Sequence, residues 1–361
     1  MTVSQRQSPA LWGCGSRAEP IAAILPSLQR FSGALLLALA MGLAAVPALA
    51  QTHSSTTTTK EPSRSLTEWL TRMHEASRQR AYQGTLVVSA GANMSASKIW
   101  HVCDGAQQIE RVETLTGAPR TTIRHNNDVI TFAPDSKTAW VEKRESLGLF
   151  PELLRAPSNA IPDYYGVREL GVERVAGHLA DRIEVVPRDT LRFGYQIWTE
   201  QKTGLVVKMQ TLDVQGSLLE QVAFSELQLN APVRMDALKR QMGDTRGYEV
   251  HKPVLKKTTA EAEGWRLKEP IPGFTSMSCH TRGSAGGTEP ASMQWVFSDG
   301  LASVSLFVEA FDPQRHGAEK SAVVGATHSL AQRLDGHWVT VLGEVPTATL
   351  RRFAQSLERT R

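Results

Sequence analysis

The sequence has little net charge, few aromatic residues and almost no cysteine. Its 40 Lys and Arg residues nearly balance 36 Asp and Glu residues, which leaves a formal net charge of +4 at pH 7, and aromatic residues make up only 6%. Nucleic-acid-binding proteins normally concentrate basic charge on one face, so this balance argues against a nucleic-acid partner. Three cysteines are too few for a disulfide framework. The composition is that of an ordinary globular protein.

The sequence also lacks the short motifs of the common chemistries. It has no G-x-S-x-G elbow, H-E-x-x-H helix, P-loop, G-x-G-x-x-G turn or C-x-x-C pair. Asp163 lies beside Tyr164 and Tyr165, but no nucleophile stands next to them, and His178 falls in a predicted turn. We therefore predict a binding protein without catalytic residues or a cofactor. A hydrolase assembled from scattered residues is the alternative.

The one long apolar run lies near the N-terminus, at residues 35–46. Ala48 and Ala50 follow it at the A-x-A spacing of a signal-peptidase site, which indicates a secretory signal peptide. A membrane anchor is the competing interpretation, but this run is short of the roughly 20 apolar residues that span a bilayer. We predict that residues 1–50 are a cleaved signal peptide and that 51–64 form a flexible tether.

Two cysteines would remain in the exported chain, Cys103 and Cys279. An oxidising compartment permits a disulfide between them. They lie far apart, in different predicted domains, so two separately buried thiols are the favoured interpretation. His101 and His280 lie beside them, but the spacing matches no compact zinc site, and we predict no metal.

The first predicted domain, residues 65–230, begins with one helix and continues in strands. Ser65 and Glu68 match a capping box, and apolar residues follow at helical spacing as far as Ala76. From Gly84 the hydrophobic period changes to two. The predicted strands are 85–88, 98–102, 108–112, 121–124, 129–132, 139–141, 172–175, 181–186, 193–199, 205–209 and 218–229. Short strands with polar turns indicate one large, curved antiparallel sheet around helical cover.

A linker, residues 231–263, is predicted to be helical in part and then charged. We predict that residues 264–361 form a second, smaller α+β domain. Its predicted strands are 274–279, 293–298, 302–307, 321–328 and 338–342. Asp299 and Gly300 mark a hairpin turn, and Pro346 marks the start of a final helix.

An apolar connection broken by Pro and Gly, residues 146–154, stands among otherwise polar turns. It is predicted to be either a loop tucked into the core or a lid over a cavity. Curved antiparallel sheets can enclose an apolar cavity. The residues predicted to line it are Trp100, Phe132, Trp140, Phe150, Leu153, Tyr195 and Trp198. Core packing is the alternative for most of them, because a one-residue slip in register inverts every assignment.

Several stretches resemble the MucB/RseB family of periplasmic negative regulators of the envelope-stress sigma factor. They occur in order along nearly the whole exported chain: YQGT at 82–85, VAGHLADRI at 175–183, FGYQIW at 193–198, PGF at 272–274, FSDGL at 297–301 and VLGEVP at 341–346. The first portion is also similar in fold to the periplasmic lipoprotein carriers.

The resemblance implies an N-terminal half-open β-barrel with helical cover and a smaller C-terminal α+β domain. It implies location in the periplasm and binding to the periplasmic domain of a membrane-spanning anti-sigma factor, which is thereby shielded from regulated proteolysis. Lipid or lipopolysaccharide would relieve that shielding. Association of the chain with itself is left open. The main alternative is a periplasmic lipid or lipoprotein carrier without a signalling role, although such a carrier needs no second domain.

Overall fold

The computed structural model describes residues 63–143, 160–252, 254–283 and 292–360. The predicted signal peptide, residues 51–62 of the predicted tether, and the apolar connection with Phe150 and Leu153 lie outside the described residues. What is described is predominantly β, with two large sheets and four helices. None of these helices is both long enough and apolar enough to cross a membrane.

Helix α1 (Leu66–Gln79) begins at the predicted capping box. The amide of Glu68 donates to the Ser65 hydroxyl at 3.3 Å, and the Glu68 carboxylate accepts from the Ser65 amide at 2.6 Å. These bonds satisfy amides that a helix start leaves without intrahelical partners. One face of α1 is buried, through Leu66, Trp69, Leu70, Met73 and Ala76. The predicted helix and its buried face are confirmed.

Twelve strands form the first sheet. They are β1 (Tyr82–Ala90), β2 (Asn93–Cys103), β3 (Gln108–Thr114), β4 (Thr121–His125), β5 (Asp128–Ala133), β6 (Thr138–Lys143), β7 (Tyr165–Val175), β8 (His178–Pro187), β9 (Gly194–Glu200), β10 (Val206–Leu212), β11 (Leu218–Leu229) and β12 (Glu249–His251). Their order is β12-β6-β5-β4-β3-β2-β1-β11-β10-β9-β8-β7. Every pair is antiparallel except β12 with β6. Strands β1–β6 form one part of this sheet and β7–β11 form the other. The two parts are joined by the pairing of β1 with β11.

The first sheet buries side chains on both faces. Ile99 of β2 belongs to a core with α1, whereas the neighbouring Trp100 packs against a separate cluster on the other face. That second cluster contains Leu238 of helix α3 (Met235–Gly243). Helix α2 (Ile161–Tyr164) is one short turn before β7. The alternation follows from the pleat, which points successive side chains to opposite faces.

The second sheet lies in the C-terminal part of the chain. In chain order, the strands and the helix of this part are β13 (Val254–Lys257), β14 (Trp265–Leu267), β15 (Thr275–Gly283), β16 (Ser292–Ser298), β17 (Ser303–Ala310), β18 (Lys320–Val324), β19 (Thr327–Leu334), β20 (His337–Gly343), helix α4 (Thr347–Ser356) and β21 (Leu357–Arg359). The sheet order is β13-β15-β16-β17-β20-β19-β18, and β14 pairs separately with β21. Leu350, Phe353 and Ala354 of α4 pack into its core.

Two sequence expectations differ from the structure. Residues 321–328, predicted as one strand, form the hairpin β18–β19, because Gly325 takes a positive φ of +58° and reverses the chain. The predicted linker, 231–263, is structured: it contains α3, and it adds β12 to the first sheet and β13 to the second. Hairpin turns and strand addition depend on backbone pairing that hydrophobic period does not reveal.

Candidate functional site

Two of the predicted cavity residues, Tyr195 and Trp198 of β9, belong to the large buried cluster that also contains residues of α1. They are only 2% and 1% exposed. The Tyr195 ring lies 6.5 Å from that of Tyr165, and the Trp198 indole Nε1 donates to a carboxylate oxygen of Glu173 at 2.6 Å. The structure therefore places both side chains in a packed cluster.

Three others lie elsewhere on the first sheet. Trp100 is half-buried, with the guanidinium of Arg111 4.4 Å from its ring, and Phe132 packs edge-on to Tyr248 on the α3 face. Trp140 of β6 stacks on His251 of β12 at 5.9 Å. Trp100 and Phe132 therefore belong to one cluster, which is separate from the cluster that contains Tyr195 and Trp198. A cavity role for these residues stays a prediction.

A groove runs between α3 and the sheet. It contains two cavities, of about 550 and 270 Å³. Their apolar lining includes Ile123, Ile130, Phe132, Val141 and Met242, and charged groups at the rim include Arg111, Asp244 and Lys252. The Arg246 side chain hydrogen-bonds to Asp244 and lowers the pKa of that carboxyl to about 2. An apolar floor with a charged rim suits an amphiphilic ligand.

A buried polar contact joins the two sheets, formed by Tyr165, Arg192 and Asp299; we call it the Arg192 junction. The Tyr165 hydroxyl donates to Oδ2 of Asp299 at 2.9 Å, and Nε of Arg192 lies 3.3 Å from the same oxygen. Both charged side chains are fully buried. The other Asp299 oxygen accepts the amides of Leu301 and Ala302 at 2.9 and 2.7 Å, so the turn after β16 presents a pre-oriented carboxylate to the first sheet.

Aromatic rings enclose the Arg192 guanidinium. It lies 4.5 Å from the ring of Tyr164, 5.6 Å from Tyr165 and 5.3 Å from Phe274. Nη2 also donates to the Pro272 carbonyl at 2.7 Å. A guanidinium can stack on rings and donate from its edge at the same time, which suits it to a desolvated interface. The Arg192 junction is therefore a specific contact between residues of both sheets.

A second contact joins the sheets at the β18–β19 turn. The amide of Ala326 donates to the Glu220 carboxylate at 3.3 Å. Gly325 packs so tightly that an added Cβ would lie 2.5 Å from that carboxylate and 2.7 Å from the Ala90 Cβ. Burial raises the pKa of Glu220. Desolvation by neighbouring protein atoms, together with the charge of Glu220, raises the pKa of the Glu344 carboxyl to about 7, although the residue as a whole is exposed.

The described residues show no site for a metal. No group of three or more His, Cys, Asp or Glu side chains in the described ranges could hold an ion. Cys103 and Cys279 are free thiols, which confirms the interpretation of two separate thiols. Cys279 is buried as expected, whereas Cys103 is only half-buried. Burial raises the pKa of the Cys279 thiol to about 11, which makes the group a poor nucleophile.

Sequence reasoning did not identify the Arg192 junction. It noted Tyr165 beside Asp163 and Asp299 in a hairpin turn, but it did not select Arg192 at all. The Tyr165 and Asp299 partners are 134 residues apart, and nothing in the local period of either strand points to the other. The hairpin turn at Asp299 is confirmed, since β16 ends at Ser298 and β17 begins at Ser303.

Both parts of the chain match models of known protein families. Residues 65–242 match the MucB/RseB N-terminal domain, and residues 259–358 match the MucB/RseB C-terminal domain. The chain is 32% identical over 304 residues to the sigma factor AlgU regulatory protein MucB of Pseudomonas aeruginosa, covering 80% of this chain and 90% of that protein. It is 25% identical over 296 residues to the sigma-E factor regulatory protein RseB of Haemophilus influenzae, with the same two coverages.

Solved structures agree with these matches. The crystal structure of MucB in complex with MucA(peri) superposes with a TM-score of 0.61 at 29% identity, over 81% of this chain and 98% of that one. The Pseudomonas aeruginosa MucA/MucB complex gives a TM-score of 0.64 at 29% identity, over 82% and 99%. Sequence and fold agree across both sheets, and this chain belongs to the MucB/RseB family.

Proposed function

We propose that this protein regulates a sigma factor by binding the periplasmic part of a membrane-spanning anti-sigma factor. The observation that carries the proposal is the extent of the structural likeness: it covers 98% and 99% of MucB chains solved together with MucA. The relatives in sequence are named as sigma factor regulatory proteins. A binding protein whose two sheets are joined by buried polar contacts fits this role, because a partner can then contact both sheets at once.

The proposal includes two domains and export. The N-terminal domain, residues 65–230, would be a half-open barrel like that of the lipoprotein carriers, and residues 264–361 would be the smaller domain. Cleavage after Ala50 would deliver the chain to the periplasm, which the apolar run at 35–46 and its A-x-A site support. In that compartment the bound chain would shield the anti-sigma factor from regulated proteolysis.

Lipid or lipopolysaccharide is proposed to release the partner. The groove beneath α3 supports this part, since Phe132 and Ile130 line it and Lys252 lies at its rim. If lipid and partner stabilise different arrangements of the chain, each lowers the affinity for the other by one common factor. A coupling of about 1–3 kcal/mol gives roughly 5- to 150-fold release.

Calorimetry with the purified periplasmic segment of the host's anti-sigma factor tests the binding. We expect a saturable complex that weakens when vesicles containing lipopolysaccharide are added, and slower cleavage of the bound segment by its regulatory protease. A carrier would instead retain lipoprotein in a pull-down from envelope extracts and bind no anti-sigma segment. Failure of the purified segment to bind would contradict the proposed function.

A further inference from the structure

Strand β18 ends the second sheet with an open edge. Within the described residues it pairs only with β19, and all five of its residues are exposed. Val323 and Val324 are 56% and 62% exposed, although adjacent strand residues point to opposite faces. Neither face of the strand is therefore covered at this end.

The other terminal strands carry features that discourage pairing with another chain. Strand β7 has a bulge between Glu169 and Gly171 and several exposed charges. Strand β12 has only three residues, and β13 carries Lys256 and Lys257. Such bulges, short lengths and lysines are how proteins protect sheet edges. Strand β18 has none of these after Lys320: it continues as Ser321, Ala322, Val323 and Val324, in regular register.

The hairpin geometry decides which backbone groups the open edge presents. Gly325 and Ala326 form a two-residue turn, so the flanking pair Val324 and Thr327 exchanges both hydrogen bonds. Alternation along the strand then directs the N–H and C=O groups of Val323 and Ser321 away from β19. These groups are donors and acceptors for an added strand.

The first sheet holds this edge in place. Glu220 accepts the Ala326 amide, and Gly325 packs closely against Ala90, so the turn is in contact with the first sheet at both of its residues. An edge held in this way requires little further ordering when a strand pairs with it. An added strand would also run toward Ala90 and Glu220, so its continuation would reach the first sheet.

We propose that β18 is a docking edge where an extended segment of the anti-sigma factor's periplasmic part adds a strand to the second sheet. This rests on the proposed function. Backbone hydrogen bonds to Ser321 and Val323 would supply affinity, and apolar side chains next to Val323 and Val324 would supply specificity. An acidic residue of the partner would face Lys320.

A second copy of the chain fits this edge less well. Two five-residue strands pairing with each other would bury far less than the roughly 1,200 Å² that stable interfaces need. A segment of a longer partner can instead continue along the surface of both sheets after pairing with β18. The relatives solved as complexes hold MucA, a different polypeptide.

Proline replacement tests the proposal, because proline has no N–H and is tolerated at edge positions whose N–H faces outward. Val323→Pro should weaken binding of the anti-sigma segment by about tenfold or more, since the outward hydrogen bond is lost and the ring obstructs pairing. Val323→Thr keeps the N–H and should bind like the wild type. Val172→Pro is the matched control: this edge residue of β7 is 54% exposed, and by the same alternation its N–H also faces outward.

Thermal melts establish that each variant is folded, and hydrogen exchange on the wild-type complex supplies a second measurement. The amides of Ser321 and Val323 should gain protection in the complex, whereas that of Val172 should not. A folded Val323→Pro variant with unchanged affinity would overturn the proposal, as would unprotected Ser321 and Val323 amides. If the Val323→Pro variant no longer self-associated but still bound the anti-sigma segment, the edge would be assigned to pairing with a second copy of the chain instead. If the wild type fails to bind the segment, the proposed function itself is wrong.

Discussion

The Tyr165 hydroxyl donates a hydrogen bond to Asp299 at 2.9 Å, which joins the first strand after α2 to a turn of the second sheet. The same carboxylate oxygen lies 3.3 Å from Nε of Arg192. One buried carboxylate thus partners a phenol and a guanidinium of the other sheet. The other oxygen of this carboxylate accepts two amides of its own turn, which orient the side chain toward the first sheet.

Removal of the Asp299 carboxylate should destabilise the protein strongly. Asp299→Ala leaves the Arg192 charge buried without this partner, and breaking a buried ion pair costs about 3–5 kcal/mol. Asp189→Ala is the control, because Asp189 lies 3.5 Å from the same guanidinium but is 32% exposed, and it should cost about 1 kcal/mol or less. Urea unfolding measures both. If the two variants lost the same free energy of unfolding, the Arg192 junction would not have the importance for stability that we assign to it.

Gly273 should not tolerate a side chain. Its φ is +83°, and an added Cβ would lie 2.8 Å from Nη2 of Arg192 and 3.0 Å from the Tyr164 ring. Gly247 is a matched control, with a φ of +79° and nothing within 4 Å. Gly247→Ala should cost about 1–2 kcal/mol from backbone strain alone, and Gly273→Ala should cost more because it also displaces Arg192. Free energies of unfolding that do not differ between the variants would rule out this clash.

The Glu344 carboxyl should make stability depend on pH. Its pKa is about 7 in the folded protein against an ordinary value of 4.5, so the folded state binds its proton more tightly than the unfolded chain does. Stability from this group is therefore complete below pH 4.5, declines as the pH rises toward about 7, and is constant above that. Glu220 has a raised pKa and contributes with the same sign.

The Glu344→Gln variant isolates this effect. Burial lowers the pKa of His328, which opposes the trend in the wild type, but that contribution is present in both proteins and cancels in their difference. The free energy of unfolding of the variant minus that of the wild type should therefore rise between pH 5 and pH 7. Denaturant melts at a series of pH values measure it, and a difference that does not vary with pH would show that Glu344 titrates normally.

The turn between α3 and β12 should be an early site of tryptic cleavage. Arg246 lies there with a side chain that is 90% exposed, paired only to the neighbouring Asp244 among the described residues. Cleavage after Arg246 would separate the first eleven strands from the rest of the chain. Mass spectrometry of early digests checks this, with Arg246→Gln as the control that should delay it. Initial cleavage within β1–β6 would contradict the boundary drawn between residues 231 and 263.

Hydrophobic period was sufficient to predict most individual elements. The change from a period of 3.6 to two at Gly84 marks the start of β1 correctly, to within two residues, because alternation follows directly from the pleat. The capping box at Ser65 likewise predicted the start of α1. Of the predicted cavity residues, however, Tyr195 and Trp198 fall in the buried cluster that includes α1 and Trp100 packs against the cluster that includes α3, since side-chain contacts depend on register and on tertiary packing.

The sequence by itself determined most of the strands, the first helix, the turn at Asp299 and, through its ordered motifs, the family. Tertiary structure alone decided that Tyr165 and Asp299 meet, that the predicted linker adds a strand to each sheet, and that β18 leaves an open edge. The physical reason is the distance along the sequence over which each kind of interaction acts. Strand alternation and helix caps arise from neighbours a few residues apart, whereas a buried charge finds its partner only once distant strands have paired and excluded water.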